Sequence, residues 1–74
     1  MANPLRDQFA ETLLEKIRSD QHPSGTQMDM LEAVASPRMR VAFILHLIDR
    51  IEGEPHPSIP MMHRARRLID EFGG

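Results

Sequence analysis

Slid along its own length by 34 positions, this chain matches itself. Arg6 falls on Arg40, Phe9 on Phe43, Leu13 on Leu47, Ile17 on Ile51, the tripeptide His22-Pro23-Ser24 on His56-Pro57-Ser58, and Met28 on Met62. That is eight identities in the thirty pairs from 5/39 to 34/68, where ordinary residue frequencies give about two. The conservative pairs Leu14/Ile48, Glu15/Asp49, Lys16/Arg50 and Asp20/Glu54 keep the same register. A duplicated unit too short to bury its own apolar face constrains the fold more than any other feature, because each copy must be sheltered by the other. The reading is one helical domain over 1–74, with repeat 1 at about 4–35 and repeat 2 at about 37–73.

Helix signals fall inside each unit at matching places. Asn3 is placed to cap a first helix with Pro4 at its first position, where a missing N–H costs nothing. Leu5, Phe9, Leu13 and Ile17 recur every four residues, and Ala10 and Leu14 widen the stripe, so this helix should bury one side and run to about Ser19. After the break Asp20-Gln21-His22-Pro23, Ser24 and Gln27 have capping-box spacing for a short helix carrying Met28, Met30, Leu31 and Val34 and ending near Ala35. Ser36 and Pro37 open a third helix that runs to about Glu52, with Gly53 expected to stop it. Its apolar residues Met39, Val41, Phe43, Ile44, Leu45, Leu47, Ile48 and Ile51 sweep roughly 200°, twice the usual stripe, which suits a central helix or an interface. Ser58, with Pro60 in the first turn, opens a fourth helix that lines up Met61, Met62, Ala65, Leu68, Ile69 and Phe72. The expected product is all-α: a compact four-helix bundle of two tandem helix–turn–helix units, short even-numbered helices alternating with long odd-numbered ones.

The period equals that of tetratricopeptide repeats, but the likeness stops there. That pattern uses Trp and Tyr at set places and needs about three or more units, whereas this chain has neither residue and two units broken at Pro23 and Pro57.

Composition matters chiefly for what it removes. With no cysteine, disulfides, thiolate metal sites and cysteine nucleophiles are excluded, which agrees with a reducing cytoplasm. The longest apolar run, residues 41–45, is far below the ~20 residues that span a bilayer, and Met1-Ala2-Asn3-Pro4 has no leader character. A cytoplasmic protein without a membrane segment is expected. Net charge is −2, yet residues 1–37 hold three basic and six acidic side chains and 38–74 hold six and five. Any nucleic-acid surface therefore belongs to the second half.

Several side-chain groups invite chemistry. His22 and His56 each follow a carboxylate by two residues, Asp20 and Glu54, a donor set that zinc or nickel accepts. The commoner role of such a histidine is to sit at a helix end before a proline that sets the turn, and no metal site is assigned. The hydroxyls of Ser19, Ser24, Thr26, Ser36 and Ser58 occupy cap or turn positions, and Gly25, Gly53, Gly73 and Gly74 form no phosphate loop, so the chain does not read as an enzyme and no cofactor is implied. Gly73-Gly74 is similar to a conjugation tail, but a helix stop accounts for it. Arg6 and Arg40 point into apolar arcs, where their stems can cover a core edge and their heads can reach the last carbonyls or carboxylates of another helix end, Asp70 and Glu71 among them.

The function expected from these features is protein–protein interaction or oligomerisation without catalysis, the partner being a second copy of the chain or a larger protein. Phe43, Leu47, Ile51, Met61 and Met62 are the candidates for core or interface. The alternative is a small DNA-binding or regulatory protein that uses Arg64, Arg66 and Arg67 on the outward side of the fourth helix.

Overall fold

The computed structural model describes residues 3–73 and is all-helical over them. Met1, Ala2 and Gly74, which entered the reading of the two ends, lie outside the described residues. Four helices follow in order: α1 (Pro4–Ser19), α2 (Gly25–Val34), α3 (Pro37–Gly53) and α4 (Ile59–Gly73). Each N-terminus is built as its residues dictate. The Asn3 side chain accepts from the Arg6 N–H at 3.2 Å with Pro4 in the first turn. Ser24 and Gln27 close a reciprocal capping box. The Ser36 hydroxyl accepts from the Met39 N–H and the Ser58 hydroxyl from the Met61 N–H, both at 3.3 Å. Every helix thus begins on a side-chain oxygen that satisfies an N–H with no intrahelical partner.

Two expectations need correction. Gly53 is the last residue of α3 rather than a stop beyond it, and no described glycine has positive φ, so the helix ends without a left-handed cap. And α4 is not short: its fifteen residues approach the sixteen of α1, against ten in α2. The cause is local. Ser36-Pro37 begins a new helix directly after α2, whereas no cap or proline follows Ser58-Ile59-Pro60 before the chain reaches Gly73.

Compactness divides the chain into two units, Met1–Arg40 and Val41–Gly74, with the division inside α3. In the first unit α1 packs on α2, and the buried apolar residues are Ala10, Leu13, Leu14, Ile17, Met28 and Leu31. In the second they are Phe43, Ile44 and Leu47 of α3 with Ala65 and Leu68 of α4. Each fully sealed large side chain, such as Ile17 or Leu47, is worth about 1.5–3 kcal/mol over an exposed one.

The linkers at 20–24 and 54–58 share one pattern of bends and burial. Both bend at their second and third residues, expose the histidine and half-bury the proline that follows. In the first, the Asp20 carboxylate accepts from the His22 N–H at 3.0 Å, so the acid two residues before the histidine closes an Asx turn. Burial follows the 34-residue register at 10/44, 13/47 and 31/65, all buried, and departs from it at Phe9 and Phe43, which are 47% and 1% exposed, at Ile17 and Ile51, sealed and half-buried, and at Met28 and Met62, buried and exposed.

Candidate functional site: the outward face of α4 and the free side of α3

At ~100° per residue, α4 separates into two faces. Ala65 and Leu68 are buried and Met61 is half-buried, while His63, Arg66, Arg67, Asp70 and Glu71 project to solvent. These five side chains and Arg64 line an open furrow of about 770 Å³ along the helix. The candidate nucleic-acid contacts Arg64, Arg66 and Arg67 are thereby brought to one surface, with Arg64 half-buried at its edge.

That surface is zwitterionic rather than basic. The Arg67 Nη1 reaches Glu71 Oε2 at 3.1 Å and Arg66 Nε lies 3.9 Å from Asp70 Oδ2, both one helical turn apart, the first pair half-exposed and the second largely so. Exposed pairs of this kind contribute only about 0.2–1 kcal/mol. Their importance is local: Asp70 and Glu71 stand near the helix C-terminus, where the macrodipole disfavours negative charge, and the two guanidiniums offset it. A phosphate docking here must compete with both carboxylates.

The candidate interface residues separate by depth. Phe43 and Leu47 are sealed, Ile51 and Met61 are half-buried, and Met62 is 37% exposed. The wide arc of α3 is exposed at Val41 and Leu45, Leu45 by 60%, beside half-buried Ile48, residues that the sequence placed in the arc but not among the candidate interface residues. The signal was present in the excess width of the apolar arc, but width alone does not say which edge is left open.

Arg6 and Arg40 reach the last carbonyls of a neighbouring helix end, that of α2. The Arg6 Nη2 donates to the Ala33 carbonyl at 2.6 Å and the Arg40 Nη2 to the Glu32 carbonyl at 2.8 Å, both at the C-terminal turn of α2. Since α2 has no basic residue of its own in that turn, these cations supply the positive charge that a helix C-terminus favours. On α3, the Arg50 Nε donates to His46 Nε2 at 3.0 Å. His22 and His56 sit exposed in their linkers, and among the described residues no three histidine or carboxylate side chains converge to hold a metal. Among them, too, no helix is long and apolar enough to cross a membrane. No family model, curated protein or solved structure matches the chain.

Proposed function

We propose that this chain is a small, non-catalytic cytoplasmic module that self-associates, built as a four-helix bundle from two tandem helix–turn–helix units. The single observation that carries self-association is the divided character of α3: Phe43, Ile44 and Leu47 are buried, while Val41 and Leu45 on its far side stay in water. A chain of 74 residues has little core to spare, and covering a second apolar side adds stability that the monomer lacks. The duplication is supported by the matching linkers, the matching Ser24 and Ser58 caps and the three buried pairs in register. A larger protein could cover the same side of α3, but a second copy is always available to it.

Sedimentation equilibrium of the full chain from micromolar to millimolar concentration tests this reading. A mass rising toward the dimer, with weak salt dependence and a negative heat-capacity change of association, is expected. A monomer throughout overturns self-association. The nucleic-acid reading rests on Arg64, Arg66 and Arg67 sharing one furrow, and predicts instead duplex binding that weakens steeply as salt releases phosphate counterions.

A further inference from the structure

We infer that two copies of this chain pair antiparallel through the free side of α3, about a two-fold axis that passes beside Leu45. This rests on the self-association proposed above and adds the surface and the orientation.

The helix α3 is continuous from Pro37 to Gly53, so its residues can be placed around it by ~100° steps. Arg38, Val41, Leu45, Ile48 and Glu52 follow at spacings of three and four and form one stripe along it. Leu45 stands about 160° around the helix from both Phe43 and Leu47, so the stripe faces away from the sealed side. All five are exposed except half-buried Ile48. The stripe has an apolar middle and charged ends of opposite sign.

Its charges decide what covers it. Arg38 lies seven residues before Leu45 and Glu52 seven residues after. A second α3 laid antiparallel with Leu45 against Leu45 brings each Arg38 to the other copy's Glu52, twice over, and sets Val41 beside the other copy's Ile48. A parallel pairing sets arginine on arginine and glutamate on glutamate. Antiparallel packing also opposes the two helix dipoles. A two-fold contact must be self-complementary, and this stripe is so in one orientation only. A contact built on one helix per copy falls at the small end of interface sizes, so a weak dimer is expected.

Two charge swaps and two cysteines test the pairing in the full chain. Arg38→Glu or Glu52→Arg alone creates two like-charged pairs and should weaken association about five- to thirtyfold, and Arg38→Glu with Glu52→Arg should return it to within about threefold of the original. With no native cysteine to interfere, Leu45→Cys should give a disulfide-linked dimer under mild oxidation, whereas Arg38→Cys should not. Melting curves at low concentration check that each variant folds. If the original chain dimerises but the swaps leave its affinity unmoved, or Arg38→Cys links faster than Leu45→Cys, the antiparallel α3 contact is wrong and self-association stands. If the original chain never dimerises, both fall.

Discussion

Arg6 and Arg40, thirty-four positions apart, donate to successive carbonyls of one helix end, those of Ala33 and Glu32. Strict repetition would send Arg40 to the backbone of Arg67, the residue that stands to it as Ala33 stands to Arg6. Both instead serve α2. The shared sequence feature has been put to one task, closing the C-terminus of the shortest helix, which has only ten residues to oppose fraying.

Removing these donors should loosen α2 from its C-terminal end. Arg40→Met, which keeps most of the stem, should cost about 1–2 kcal/mol, because a partly buried charge-assisted bond is lost. Arg6→Met should cost less, since its bond is solvent-exposed. Denaturant titration measures both, and faster amide exchange at Val34 and Ala35 should accompany them. Equal and negligible costs would show that α2 does not depend on the clamp.

Phe9 and Phe43, thirty-four positions apart, should respond differently. Phe43→Leu, in a sealed site, should cost about 1–2 kcal/mol, and Phe43→Ala about 3–5, comparable to the whole stability of a domain this small. Phe9→Ala, on a half-exposed side chain, should stay below about 1 kcal/mol. Thermal melts of the three variants at low concentration give the comparison, and equal losses at positions 9 and 43 would contradict the burial difference.

This pair also marks how far the sequence could be read. The helix starts were legible to the residue, because Asn3, Ser24, Ser36 and Ser58 act through local hydrogen bonds that need nothing beyond the next turn. The apolar stripes were legible as directions, since periodicity is a property of one helix. How much of a stripe is covered was not, because coverage depends on what arrives from elsewhere in the chain: Leu5 and Phe9 continue the line of Leu13 and Ile17 yet remain exposed. The second apolar side of α3 was legible as excess width, but that Val41 and Leu45 form its open edge was not, for the same reason. The arginine pair was recognised as anomalous and last carbonyls were named among its acceptors, but which helix end supplies them was not legible, because every residue carries a carbonyl and no residue type advertises it.

Gly53→Ala should stabilise the chain. The glycine is helical without positive φ, and a Cβ built there meets nothing within 4 Å. Alanine then keeps the conformation and removes freedom from the unfolded chain, for a gain of about 0.5–1 kcal/mol. A rise in melting temperature without change in helical content is expected, and a fall would mean that the position needs a conformation outside the helix.

His46 should be found in a single tautomer. Its Nε2 accepts from the Arg50 Nε–H, so in the neutral ring the proton sits on Nδ1. Exposed neutral imidazoles usually favour a proton on Nε2, which makes the assignment informative. Long-range proton–nitrogen spectra above neutral pH should show the Nδ1–H pattern for His46 and its loss in Arg50→Met. An Nε2–H pattern would remove the hydrogen bond.

The forty residues of the first unit contain both donors and both acceptors of the clamp, together with the α1 and α2 side chains that pack in it. During synthesis, then, everything this half requires has been made before Val41 is added. Its search for partners is short, because sequence-local packing closes small loops at little entropic cost. The nascent chain can settle its first half while the second is still in the ribosome, so the exposed stripe of α3 is completed on a segment whose leading end is already anchored.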